Sequence, residues 1–285
     1  MTDILDPNEL IKAGLIQPEE APVRPEIKFG AKTDMGMKRE NNEDKFDFYE
    51  PDDPKVLSQR GSLYAVCDGM GGAAYGQIAS EHALNTLIEA YYKYYNQLNL
   101  DGTPIDVETA LKNAILVANG VVRNYASKRQ ELSGMGTTLT VTAFVRNRVY
   151  IAQVGDSRAY LIRDEQIRQV TLDHSLVEEW RRMGRISEEE AARATYKNVI
   201  TRSIGTQSTV EPDIYIELVK KADRWVLCTD GLTAYLQDEE IRQIALKSCP
   251  SEAVWEMVNL AKERGGHDNI TAMVIWVRDL VPLAA

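Results

Sequence analysis

Cysteine is scarce in this chain, with three in 285 residues. Cys67, Cys228 and Cys249 are too few and too scattered for a disulfide framework, and no pair has metal-motif spacing. Cys67 and Cys228 lie in apolar runs and are expected to be buried core thiols. Long apolar runs are missing as well. No stretch approaches the ~18 consecutive apolar residues of a membrane span. The opening MTDILDPNEL lacks the basic region and apolar core of a signal peptide. The expectation is therefore a cytoplasmic protein without membrane contact. An excess of positive charge is absent too: 33 basic residues face 43 acidic ones, for a net charge of −10. A nucleic-acid binder needs a concentrated positive face to release counterions, so nucleic acid is excluded as a partner. A phosphate-bearing substrate is not excluded, because bound divalent cations reverse a local field.

What is present is a hydrophobic fraction of 44%, ordinary for a globular chain. Residues 1–25 hold four of the ten prolines and little periodicity. They read as a flexible N-terminal arm. From Glu26 to about residue 280 the pattern is that of a single domain. Ile27 to Thr33, Lys45 to Tyr49 and Leu63 to Cys67 read as short strands. Helical periodicity runs from Tyr75 to about Gln97 and from Val107 to about Lys128. The Tyr91 to Tyr95 run reads as the amphipathic end of a core helix rather than a stacking platform. Thr137 to Val145, Arg148 to Val154, Ala159 to Arg163 and Gln166 to Val170 follow at hairpin spacing and read as an antiparallel meander. Ser175 to about Ala194 is polar and helical, broken at Gly184. Asp213 to Leu218, Trp225 to Thr229 and Ile270 to Val277 return to strand, with helices near Asp238 to Lys247 and Ser251 to Arg264. Helices grouped in sequence and strands grouped as hairpins imply an α+β layered domain, not a doubly wound parallel sheet.

The informative residues are carboxylates at strand ends. Leu63-Tyr64-Ala65-Val66-Cys67 ends in Asp68-Gly69, and Trp225-Val226-Leu227-Cys228-Thr229 ends in Asp230-Gly231. Asp44 stands just before one strand and Asp268 just before another. In an antiparallel sheet the end of one strand lies beside the start of its neighbour. If neighbours pair in sequence order, the four carboxylates gather at one edge of the core. Clustered carboxylates resist ionisation unless cations neutralise them. Oxygen-only ligands suit Mg²⁺ or Mn²⁺, and two such ions clamp a phosphoryl group. The glycines after Asp68 and Asp230 allow close backbone approach. A single Asp-Gly is usually turn chemistry. The weight lies in four such acids at strand termini.

These residues sit in longer strings that resemble the protein phosphatase 2C family, in its bacterial form. The strings are Thr33-Asp34-Met35-Gly36 with Arg39-Glu40-Asn41-Asn42-Glu43-Asp44, Asp68-Gly69-Met70-Gly71-Gly72, and Gly134-Met135-Gly136-Thr137-Thr138-Leu139. Val154-Gly155-Asp156-Ser157-Arg158-Ala159, Asp173-His174-Ser175 and Ile200-Thr201-Arg202-Ser203-Ile204-Gly205 follow. Cys228-Thr229-Asp230-Gly231-Leu232 and Gly266-His267-Asp268-Asn269-Ile270-Thr271 complete the set, in the family's order. The resemblance implies a four-layer α-β-β-α sandwich, with two central antiparallel sheets flanked by helices and a metal site at one end. It implies a protein serine/threonine phosphatase using two divalent cations, Mn²⁺ or Mg²⁺, and in-line attack by a metal-bridging hydroxide. Carried over by position, Asp68 bridges both cations and Gly69 offers its carbonyl to one. Asp230 and Asp268 complete the pair. Asp44 and Glu43 act largely through bound water, Arg39 binds the substrate phosphate, and Asn269 orients a water. The implied partners are phosphorylated proteins and a serine/threonine kinase, with the chain a monomer.

Three positions depart from the pattern. Met70 stands where some relatives carry a histidine proposed as general acid. Ala73 replaces a histidine of bacterial relatives. Ser133 and Gly134 replace an acid expected to hold a third cation, with Glu131 the nearest carboxylate. Two cations are therefore expected, and a third would rest on water and Asp230 alone. The segment from 175 to 197 matches a variable flap beside the site. His174 is expected to be structural, His267 to be exposed or in an outer shell, and His82 to pack. The alternative is a catalytically weak phosphoprotein-binding module of the same fold. The presence of all four aspartates and Arg39 argues against it. A nucleotide-binding loop at Gly69 to Gly72 lacks both the G-x-G-x-x-G spacing and a following Gly-Lys-Ser/Thr.

Overall fold

The computed structural model describes residues 23–71, 75–93, 98, 103–194, 196 and 199–283. Two five-stranded antiparallel sheets form its centre. One has the order β1 (Val23–Asp34), β12 (Ile270–Pro282), β11 (Arg224–Cys228), β8 (Arg158–Arg163), β9 (Gln166–Gln169). The other runs β10 (Asp213–Leu218), β7 (Arg148–Val154), β6 (Leu139–Val145), β3 (Ser62–Cys67), β2 (Lys45–Tyr49). A two-residue ribbon, β4 (Gly69–Met70) with β5 (Gly136–Thr137), extends beyond β3.

Strand alternation builds the layers, because successive side chains face opposite ways. On β3, Leu63, Ala65 and Cys67 point to α2 (Tyr75–Lys93) and α3 (Val107–Ala126), whereas Tyr64 and Val66 point to the other sheet. On β11, Val226 and Cys228 face α7 (Asp238–Lys247) and α8 (Pro250–Glu263), whereas Trp225 and Leu227 face inward. Tyr64, Phe144 and Trp225 meet edge to face between the sheets. The result is the four-layer α-β-β-α sandwich. Cys67 and Cys228 are free, buried thiols, and burial pushes the Cys228 thiol up to about 12.

Three expectations need correction. The N-terminal arm lies largely outside the described residues, but Val23, Arg24 and Pro25 already belong to β1, opposite Pro282, Val281 and Leu280. Pro25 is tolerated because β1 is an edge strand. The block from Thr137 to Val170 is not one meander. β6–β7 and β8–β9 are hairpins in different sheets, and Gly155-Asp156-Ser157 carries the chain between them. A short helix, α1 (Pro54–Arg60), is not among the expected elements, although its start is marked by Asp53 accepting from Lys55 N–H at 2.8 Å and by proline in the first turn.

α2 is described to Lys93, so the expected extension to Gln97 lies outside the described residues. Tyr91 is buried and donates to Arg60 O at 2.8 Å, as befits a core helix. α3 is capped by Asp106, which accepts from Thr109 N–H at 2.8 Å. The flap holds α4 (Leu176–Arg182) and α5 (Glu188–Arg193), and α6 (Asp230–Thr233) follows β11.

Candidate metal centre

The four aspartates meet because two antiparallel pairs end at the same end of the sandwich, one pair per sheet. Lys45 pairs with Cys67, which sets Asp44 beside Asp68. Cys228 pairs with Ala272, and Thr229 N–H donates to Thr271 O at 3.1 Å, which brings Asp230 towards Asp268. Each pair comes from strands consecutive in sequence, β2 with β3 and β11 with β12, one pair in each sheet. Asp44 ties the two sheets together: its Oδ2 accepts from Thr229 Oγ1 at 2.8 Å and Thr271 Oγ1 at 2.7 Å. Its Oδ1 is buried and has no partner among the described residues.

Asp68 is held through its backbone, which leaves its carboxylate for the cluster. Asp68 N–H donates to Thr138 Oγ1 at 2.8 Å, and Asp68 O accepts from Thr138 N–H at 2.8 Å and Thr137 Oγ1 at 2.9 Å. The Thr138 hydroxyl lies 2.7 Å from that of Ser157, in the crossover between sheets. The glycines behind the acids are required by close approach. A Cβ on Gly69 would meet Gly76 O at 2.1 Å, and one on Gly231 would meet Asn269 O at 1.9 Å.

The same crossover supplies a fifth carboxylate, to which the sequence motif alone assigns no role. Asp156 is 7% exposed and its Oδ1 is unpartnered among the described residues. It lines a cavity of about 410 Å³ with Asp230, Asp173, Ser175, Glu178 and Gln237. Val177 and Ala191 of the 175–197 segment line the same cavity. Ser133 and Gly134 edge a separate hollow with Arg123 and Thr206, away from the aspartates.

The loop before β2 is clipped to the other sheet by Asn269. Its Nδ2 donates to Met35 O at 3.0 Å and Asn41 O at 2.9 Å, while its Oδ1 accepts from Glu43 N–H at 2.8 Å. Both amide N–H groups are thus committed to backbone, and the expected water-orienting amide acts in this structure as a loop clip. Glu43 likewise uses Oε1 to accept from Gly76 N–H at 3.3 Å, at the start of α2. Arg39 stands half exposed, with Nη2 donating to Asp268 Oδ2 at 2.8 Å. That bond holds the guanidinium above its ordinary pKa.

The histidines stay outside the cluster. His174 is buried, accepts from Gly155 N–H through Nδ1 at 3.1 Å and turns Nε2 to Asp213 at 3.2 Å. Burial, with Arg202 nearby, lowers its pKa, so it is the neutral Nε2–H tautomer holding the crossover. His267 is exposed against Tyr235, and the His82 ring lies 4.8 Å from that of Tyr125.

Electrostatics shows what the cluster lacks. Desolvation, opposed by two threonine bonds and reinforced by Asp230 and Asp268, lifts Asp44 to about 7. Desolvation and Asp230 lift Asp156 to about 7. Asp68 rises well above the carboxylate range through burial and then through Asp44, Asp230, Asp156 and Asp268. Asp230 is raised by burial and Asp268, partly relieved by a hydrogen bond with Asp68. Among the described residues, no three Asp, Glu, His or Cys side chains close tightly enough to cage one ion. Hard cations that keep several waters and need few protein ligands suit such an open set. Two buried, unpartnered carboxylate oxygens, with a backbone carbonyl at Gly69, fit Mg²⁺ or Mn²⁺.

A sandwich of two antiparallel sheets, each delivering a carboxylate pair to one end, defines a metal-dependent phosphatase. The pattern of the protein phosphatase 2C family matches residues 31–270, and the chain belongs to that family. It is similar to the serine/threonine phosphatase stp of Listeria monocytogenes, 36% identical over 250 residues, 87% of this chain and 95% of that one. The solved Staphylococcus aureus serine/threonine phosphatase Stp1 superposes with a TM-score of 0.78 at 31% identity, covering 92% of this chain and 99% of that one. The catalytic domain of the serine/threonine phosphatase PstP, solved with two manganese ions, gives 0.73 at 32% identity, covering 90% and 98%.

Proposed function

We propose that phosphoserine and phosphothreonine of proteins are hydrolysed at the aspartate end of the sandwich, with Asp68, Gly69, Asp230 and Asp268 holding two divalent cations. The activity is that of the family: the chain is a metal-dependent protein serine/threonine phosphatase. The observation that carries the assignment of residues is the joining of two carboxylate pairs from separate sheets, with raised pKa values that Arg39 at the rim and Arg158 beside Asp156 and Asp230 only partly offset. When bound, the two cations supply charge neutralisation and an activated water.

The chain's own residues do the rest. Arg39 keeps its charge and sits at the exposed rim on Asp268, where its remaining N–H groups suit a phosphoryl oxygen pair. Thr229 and Thr271 fix one oxygen of Asp44 and leave the other for a water of the metal shell. Thr137 and Thr138 fix the backbone of Asp68 so that Gly69 O is presented at a set place. Cys67, next to Asp68, is a buried thiol pushed far above its ordinary pKa and so is not a poised nucleophile. Asp156 lines the same cavity as Asp230 and would be a further carboxylate for a third, weaker cation. A serine/threonine kinase acting on the same proteins, a monomeric state and a cytoplasmic site of action complete the reading. Among the described residues no helix is long and apolar enough to cross a membrane.

The test is release of phosphate from a phosphothreonine peptide. Turnover should require Mn²⁺ or Mg²⁺, stop on chelation and fall by about 10²-fold or more in Asp230→Asn. Metal-saturated protein that binds the peptide without releasing phosphate would establish the binding-module alternative.

A further inference from the structure

We propose that the first two turns of α2 are the seat of the Gly69 carbonyl, which makes Gly76 and Ser80 positioning residues for cation binding. The inference rests on the reading of Gly69 as a cation ligand.

Gly69 and Gly76 pack backbone against backbone. A Cβ on Gly76 would lie 2.5 Å from Gly69 C, 2.6 Å from Gly69 O and 2.8 Å from Glu43 Cδ. A Cβ on Gly69 would meet Gly76 C at 2.4 Å and Glu43 O at 2.6 Å. Neither residue has room for a side chain, and the atoms in the way are mostly backbone, which cannot swing aside. Glycine inside a helix is otherwise unfavourable, so its use at Gly76 answers to this contact.

Glu43 closes the arrangement from the third side. Its carbonyl accepts from Gly69 N–H at 3.2 Å and from the Ser80 hydroxyl at 2.7 Å, while its carboxylate accepts from Gly76 N–H at 3.3 Å. Ser80 is fully buried, and its other acceptor, Gln77 O, is longer at 3.1 Å. A core-facing serine on a helix whose neighbours Ala79, Ala83 and Leu87 are apolar needs a reason, and the Glu43 carbonyl provides it. Together these contacts fix where Gly69 O points. Their loss should appear as weaker cation binding, in the range typical of residues that orient a metal ligand.

Isothermal titration of the full chain with Mn²⁺ alone separates the possibilities. Ser80→Ala should raise the Mn²⁺ dissociation constant about tenfold, and Gly76→Ala by more if it folds. Ala83→Gly loosens the same helix without touching Glu43 or Gly69, and should melt lower with unchanged Mn²⁺ affinity. The proposal is overturned if Ser80→Ala binds Mn²⁺ like the wild type, or if Ala83→Gly loses as much affinity. A wild-type chain that takes up no Mn²⁺ overturns the metal-centre reading and this proposal with it.

Discussion

At the scale of single residues, Asp44 and Arg39 show how one end of the molecule holds surplus negative charge. Asp44 is nearly buried and has two threonine donors on one oxygen and none on the other. Arg39 offsets Asp268 from the rim and remains half exposed. An exposed pair of this kind contributes at most about 1 kcal/mol to stability, so its value lies in what the guanidinium can bind. Arg39→Ala should raise KM for a phosphopeptide by about tenfold or more, as expected for loss of a charge-assisted hydrogen bond. Its melting temperature should be nearly unchanged. Steady-state kinetics with a thermal melt checks both parts.

Single residues were also where the sequence was most and least legible. The placement of Asp68 and Asp230 at strand ends was readable because an apolar strand, an acid and a glycine recur twice, where a single Asp-Gly suggests only a turn. Glu43 and Asn269 were not. Their types suited metal-bound water, yet their partners, Gly76 N–H and the 35–43 loop, are set by packing between distant segments. Asp156 carries no local signal of its own, and only the crossing of Gly155-Asp156-Ser157 between sheets reveals it as a neighbour of Asp230.

At the scale of elements, the loop between β1 and β2 hangs on one side chain. Asn269 carries three hydrogen bonds into it, and Met37 N–H adds a bond to Gly266 O at 2.6 Å. Asn269→Ala leaves three part-buried backbone groups, Met35 O, Asn41 O and Glu43 N–H, without this partner, at a cost of about 1–3 kcal/mol. It should lower the unfolding free energy measured in urea and loosen Arg39 together with Glu43, so that KM rises as well. Unchanged stability would show that water replaces the amide.

Elements were legible in kind but less so in partnership. The hairpins at Leu139 to Val154 and at Arg158 to Gln169 were found from alternation, yet alternation reports only that a strand has two faces. It does not say which sheet receives it, so the meander was an economical misreading. The β1 start was hidden by Pro25, which signals a loop in isolation but is harmless on an edge strand.

For the whole molecule, raised carboxylates become a statement about pH. Asp44 and Asp156 titrate near 7 in the folded chain against an ordinary 3.8, and Asp68 and Asp230 are raised as well. Between about pH 4 and 7 the folded state therefore holds protons that the unfolded chain has released, so stability falls as pH rises through that window. Carboxylates held below their ordinary value, such as Asp106 at the start of α3, act only below that window and do not cancel the trend. Metal-free protein should melt higher near pH 5.5 than near pH 8. Saturating Mn²⁺ should erase or reverse the difference, since cations replace the protons and bind only the folded state. Calorimetry in chelator and in Mn²⁺ reads this directly.

The most direct measurement is anomalous diffraction from crystals grown with Mn²⁺. Two strong peaks should lie between the Asp68 carboxylate and the Asp230 and Asp268 carboxylates, one of them within coordination distance of Gly69 O. Peaks elsewhere, or a single ion that touches neither Asp68 nor Asp230, would contradict a two-cation centre built from both sheets.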